Sequence, residues 1–232
     1  MTNIVTESKK GVKPHQNHWL ITKGNISLFS PTPKFIGLSS LKSFSNRFER
    51  FFRIKEGDVC LDVGACIGDT TLPTAIKTGP KGTVIAIEPE PYNLKFLQMN
   101  LATLKNSPSI VIIPKAAWNH KETVRFNVYE IPTAHSIIDR TTTFIQVQAD
   151  TLDNMLKDWD RIDFAKIDVQ GAELEVLQGA EEMLRKTKRL VVETHYHGEK
   201  ALYPKVAAFL ELRGFKVKVT SDRIVHAWRP TK

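Results

Sequence analysis

Five short apolar runs recur along the chain: Val59 to Val63, Thr83 to Ile87, Ile110 to Ile113, Phe164 to Ile167 and Arg189 to Val192. Strands buried on both faces read this way, because neither face has to alternate toward water. Helical stretches separate them at Thr70 to Lys77, Tyr92 to Leu104, Ala172 to Arg185 and Lys200 to Leu212. Strand and helix in alternation predict a doubly wound, mostly parallel α/β sheet with right-handed crossovers. The end of the chain changes rhythm. Phe215 to Thr220 and Ile224 to Trp228, joined by the turn residues Ser221-Asp222-Arg223, predict a C-terminal hairpin that gives the sheet one antiparallel strand. Two alternating segments around Pro132 predict an inserted hairpin over 122–148. Ahead of the first run, Leu41, Phe44, Phe48, Phe51 and Phe52 recur at helical spacing, which predicts an amphipathic lead-in helix over 38–53. Residues 1–37 keep no period and are punctuated by Ser30-Pro31-Thr32-Pro33, so they read as a loosely ordered arm before a single domain over 38–232.

Charge sharpens this division. The chain carries 33 Lys and Arg against 25 Asp and Glu, a net +8. Residues 1–50 hold eight of the basic groups and only Glu7 and Glu49. The high pI therefore describes a basic arm more than a basic folded surface, so nucleic acid is an allowed partner but not the favoured one. No apolar run reaches the length of a membrane span, and MTNIVTESKK lacks the apolar stretch of a secretory signal. Two cysteines, Cys60 and Cys66, make neither a disulfide framework nor a zinc signature. The expectation is a soluble cytoplasmic protein of unassigned oligomeric state.

The chemistry concentrates at the strand ends. Asp62-Val63-Gly64-Ala65-Cys66-Ile67-Gly68 joins the first strand to the helix beginning near Thr70. Gly64 and Gly68 permit a tight turn and close approach of a ligand, and the carboxyl ends of parallel strands are where such sheets bind ligands. A carboxylate at Asp62 would repel a pyrophosphate but suits the cationic amino group of S-adenosylmethionine, directly or through water. Two glycines alone also make an ordinary turn. Glu88, at the end of the second strand, is placed to hold both ribose hydroxyls, a contact that NAD would share. Pro89 stops that strand and Asn93 falls in the next helix's first turn. Ala116, Ala117 and Trp118 can border an adenine, although a tryptophan is as often core.

The fourth strand brings Lys166 and Asp168 onto one face, where Asp168 can orient or deprotonate a hydroxyl and Lys166 equally makes a structural ion pair. The fifth ends in Glu193-Thr194-His195-Tyr196-His197. Glu193 and His195 are the natural general-base candidates, with His197 a loop residue. Asp168, Glu193, His195 and His197 match no recognised metal spacing, so no metal site is read.

Three blocks resemble the FkbM family of S-adenosylmethionine-dependent methyltransferases: DVGACIGDTT at 62–71, IEPEPYNLKFLQMN at 87–100, and TLDNML with DFAKIDVQGAELEVLQGA at 151–156 and 163–180. The resemblance implies a class I methyltransferase Rossmann-like fold and O-methylation of a hydroxyl on a sugar, glycolipid or secondary metabolite. It implies a cofactor set of Asp62, Gly64, Ala65, Cys66, Gly68, Thr70, Thr71, Glu88, Pro89, Asn93, Ala117 and Asp168, and a catalytic set of Asp168, Glu193, His195 and Lys166. Cys66 stands where the family often has Asn, and Gln170 where it commonly has Glu. A ribose methyltransferase acting on RNA, suggested by the basic arm with Lys166 and Asp168, and a non-catalytic cofactor-binding module are the competing readings.

Overall fold

The computed structural model describes residues 11–15, 18–23, 26–32, 41–105, 107–129, 135–138, 143–197 and 199–230. Expectations for 1–10, 33–40, 130–134 and 139–142, which include the start of the lead-in helix and the tip of the inserted hairpin, lie outside the described residues.

The central sheet has seven strands: β4 (Val59–Val63), β5 (Thr83–Ile87), β6 (Ser109–Ile113), β10 (Phe164–Ile167), β11 (Arg189–Glu193), β14 (Lys216–Val219) and β15 (Ile224–Trp228). Their spatial order is β14-β15-β11-β10-β4-β5-β6. Every neighbouring pair from β6 across to β11 is parallel, and β15 runs antiparallel to both β11 and β14. The order reverses at β4, so β4 and β10 are adjacent and their carboxyl ends open a crevice between them. Leu61, Val63, Ile85, Ile87, Ala165 and Ile167 are buried in the core, as unbroken apolar runs require.

The crossover helices are α2 (Thr71–Thr78), α3 (Pro91–Leu101), α5 (Glu173–Gln178), α6 (Glu181–Lys186) and α7 (Tyr203–Glu211), with one short turn, α4 (Leu152–Met155). The single helix expected over 172–185 is two. At Gly179 a Cβ would come within 2.4 Å of the Trp118 carbonyl oxygen, so the chain bends there to let the loop after β7 (Ala116–Ala117) pass. The inserted hairpin is β8 (Glu122–Asn127) against β9 (Phe144–Asp150), and β7 pairs parallel with β9 to make a small side sheet. Two two-residue strands, β12 (Tyr196–His197) and β13 (Lys200–Ala201), close a small loop before α7. The lead-in helix is α1 (Leu41–Phe48), whose Phe44 and Phe48 are buried against Phe164 and Val191.

The arm departs from expectation. Where the sequence predicts a loose start, β1 (Gly11–His15), β2 (His18–Lys23) and β3 (Ile26–Ser30) form an antiparallel sheet. The cause lies far along the chain: Ile21 and Leu28 bury against Cys66, Ile67, Leu72 and Phe96. The Asn100 side chain takes the Phe29 N–H at 2.7 Å and donates to the Phe29 carbonyl at 3.0 Å. Local periodicity carries no trace of such a partner.

Candidate active site

The glycine turn is held from below. Backbone N–H groups of Gly64 and Ala65 both donate to the Ile87 carbonyl at 3.0 Å, which ties the turn to β5. Gly64 has φ +79°, and a Cβ there would come within 1.9 Å of the Asp168 carbonyl oxygen, so glycine sets how closely β4 and β10 approach. Asp62 is 1% exposed. Its Oδ2 accepts the Thr70 and Thr71 hydroxyls, each at 2.7 Å, and its Oδ1 lies 3.5 Å from Lys166 Nζ. Asp62, Thr70 and Thr71 thus answer one another under the turn rather than facing the crevice.

Glu88 is the keystone of the β5 end. Its Oε2 accepts the Cys66 N–H at 2.8 Å, and its Oε1 accepts the Glu90 N–H at 2.9 Å and the Asn93 amide at 3.4 Å. Burial pushes its carboxyl up to about 7, against the pull of those donors. Glu90 caps α3, accepting the N–H groups of Tyr92 and Asn93. The Cys66 thiol is buried and held well above its ordinary range, so it is a packing group rather than a nucleophile.

Above these residues lies an open cleft. Gly64, Cys66, Glu88, Pro89, Asn93 and Ala117 line it, and at the other end so do Lys166 and Asp168. Ala65, Gly68, Thr70 and Thr71 support the turn without lining the cleft. Ala116 borders it beside Ala117, whereas Trp118 packs on the side sheet. The sequence reading missed Asp69 and Val169, noted Gln170 only as a departure from the family's Glu, and missed Phe126, His135 and Ile137 from the insertion. Asp69 follows Gly68 directly and could have been read as the turn's second acid; the insertion residues arrive through tertiary packing alone. His135 accepts the Tyr129 N–H at Nδ1, and burial drops its pKa to about 4, so it is neutral.

At the far end, Lys166 Nζ lies 3.3 Å from Asp168 Oδ2. Burial works to discharge this lysine, but Asp168 and Asp62 prevail and hold its pKa above the ordinary value. The Gln170 amide donates to Asp168 Oδ1 at 2.9 Å from a backbone of φ +52°. Glu193 is buried, which raises its pKa together with the Asp168 charge, and Arg47 of α1 bonds it at 2.5 Å. His195 Nδ1 lies 2.8 Å from Glu173 Oε1, and its Nε2 lies 3.9 Å from Asp168 Oδ1. Burial acts to lower the His195 pKa, but Glu173 and Asp168 outweigh it and the net shift is upward. Asp168, Lys166, Glu193 and His195 are therefore one cluster at the β10 and β11 ends, beside the cleft.

A seven-stranded sheet of this order, with a glycine turn after its leading strand and an acid at the end of the next, is the class I fold of S-adenosylmethionine-dependent methyltransferases. The precorrin-6y C5,15-methyltransferase of Geobacter metallireducens GS-15 superposes with a TM-score of 0.53 at 16% identity, over 84% of this chain and 95% of that one. Fibrillarin of Aeropyrum pernix, solved with natively bound S-adenosyl-L-methionine, gives 0.52 at 12% identity over 98% and 99%. At these identities the likeness is one of fold. The family model for the methyltransferase FkbM domain matches residues 62–217, and the chain belongs to that family. Methyltransferase sdnD of Sordaria araneosa is 43% identical over 72 residues, which is 31% of this chain and 26% of that protein.

Proposed function

We propose that the cleft binds S-adenosylmethionine and that the protein methylates a hydroxyl oxygen of a sugar, glycolipid or secondary metabolite. The observation that carries this reading is the charge of the cleft. Among the described residues, Asp69, Glu88 and Asp168 line it against one buried cation, Lys166. Among the described lining residues, such a wall suits a cationic nucleoside and penalises a dinucleotide's pyrophosphate. The donor set fits the group: Glu88 offers a carboxylate to vicinal hydroxyls, Cys66 and Gly64 bring backbone close, and Ala116, Ala117 and Pro89 offer a flat apolar border for a base.

When bound, that cofactor supplies a sulfonium methyl already activated for transfer to an oxygen. The chain's own contribution is position and charge. Lys166 pairs with Asp168 from beneath and orients it, and the Gln170 amide fixes its other oxygen. Asp168 can then accept a hydrogen bond from the acceptor hydroxyl and aim its lone pair. Alignment of this kind supplies several kcal/mol before any base assists. His195 or Glu193 takes the proton.

Calorimetry tests the cofactor half. Glu88→Ala should weaken binding of S-adenosylmethionine by about tenfold or more, the value of a lost charge-assisted hydrogen-bond pair. Because Glu88 ionises near pH 7, wild-type affinity should rise between pH 6 and 8, as the carboxylate becomes able to accept from both hydroxyls. Unchanged affinity in Glu88→Ala, or tighter binding of NADH than of S-adenosylmethionine, would refute the assignment.

A further inference from the structure

We infer that Glu173 is a positioning residue for His195 and thereby makes His195, rather than Glu193, the group that takes the acceptor's proton. The inference rests on the methyl-transfer reading above. Glu173 is 0% exposed at the start of α5. Both of its bonds fall on Oε1, which accepts the Gly171 N–H at 3.0 Å and faces His195 Nδ1 at 2.8 Å. Its Oε2 is buried and receives no hydrogen bond among the described residues. A dry carboxylate oxygen is expensive, and the Gly171 bond alone does not need the charge, since a glutamine carbonyl would accept it as well. The imidazole is what the charge serves.

Oε1 already accepts the Gly171 N–H and so meets the ring as an acceptor, which means that Nδ1 carries the proton and Nε2 keeps its lone pair. Nε2 lies 3.9 Å from Asp168 Oδ1, too far for a hydrogen bond and on the side of the cleft's own carboxylate. Glu193 is otherwise engaged, because Arg47 Nη2 holds its Oε1. The charges around the ring are Glu173 from α5, Asp168 beyond β10 with Lys166 behind it, and Glu193 of β11 with its Arg47. In the transfer step the hydroxyl proton passes to Nε2 and the oxygen lone pair takes the methyl. The electron pair of the broken carbon–sulfur bond stays on sulfur, and the imidazolium, stabilised by Glu173, later releases its proton to water.

Nitrogen-15 NMR of the full-length protein, without cofactor or acceptor, tests this directly, with His195 assigned by the signal lost in His195→Gln. The wild type should show the Nδ1–H tautomer and a His195 midpoint above the ordinary 6.5. Glu173→Gln should lower that midpoint by about one pH unit, and Glu173→Asp should restore part of the shift. An Nε2–H tautomer, or a midpoint unmoved in Glu173→Gln, overturns the inference. If Glu173→Gln does not fold, the wild-type tautomer decides alone: Nδ1–H supports the inference and Nε2–H overturns it. Calorimetric titration of wild type with S-adenosylmethionine separates the two readings. Failure to bind sinks the methyl-transfer proposal and leaves the His195–Glu173 coupling intact, whereas a wrong tautomer sinks only the coupling.

Discussion

Cys66 sits in the left-handed region at φ +50°, and Gln170 at φ +52°. Both line the cleft, and in both cases a side chain with a Cβ tolerates a conformation that costs it about 1–2 kcal/mol. At Cys66 the strained backbone aims its N–H at Glu88, so the strain maintains the turn's bond to the neighbouring strand end. Asn, which the family often has here, enters that region more easily, and the resemblance thus has a conformational reason. Two variants isolate the effect because both remove the sulfur. Cys66→Gly should be more stable than Cys66→Ala by about 1 kcal/mol in urea unfolding, reversing the usual order of these residues. Equal stabilities would show that the turn relaxes around an ordinary residue. Glu88 and Asp168 were legible because each ends an apolar run beside a motif. The true company of Asp62 was not, since the threonine hydroxyls and Lys166 meet it only once three elements pack together.

Among the elements, the parallel strands were read nearly to the residue, because burial on both faces leaves an unbroken apolar signature. Helices were read less well. The break at Gly179 is imposed by the loop at Trp118 and Asn119, which no helical period records. The β1–β3 sheet was missed for the same physical reason, since its docking depends on distant partners: an apolar patch around Ile67 and Phe96, and the Asn100 amide. Asn100 is 0% exposed and bonds Phe29 on both its N–H and its carbonyl, and it also donates to the Ile67 carbonyl at 2.7 Å. Asn100→Ala removes these three hydrogen bonds and should cost about 2–4 kcal/mol. Hydrogen exchange should then quicken at Phe29 and its neighbours in β2 and β3 while β4 and β5 keep their protection. An unchanged rate at Phe29 would mean that apolar contact alone seats the sheet.

Over the whole molecule, acid stability turns on groups the motifs never mention. His226 in β15 is 0% exposed, with Phe51 and Phe52 packed on its ring and both nitrogens buried without a hydrogen bond among the described residues. Burial drops its pKa to about 4, so the folded protein holds this ring neutral where the unfolded chain would charge it. The stability it contributes is present above the ordinary 6.5 and is lost as pH falls toward about 4. His226→Leu should therefore gain on wild type by about 3 kcal/mol as the pH falls across that window, read from paired denaturant melts. Parallel pH profiles for the two proteins would contradict the assignment. No helix among the described residues is long and apolar enough to cross a membrane.

The grip of Asn100 has a consequence for anyone who builds chimeras. A single amide holds the leading sheet with one hand and the peptide of Ile67, inside the glycine turn, with the other. The β1–β3 sheet and the glycine turn beside the cleft are consequently one mechanical unit, and a transplanted leading sheet from a relative will bring its own setting of the turn unless the residue that clasps it travels too.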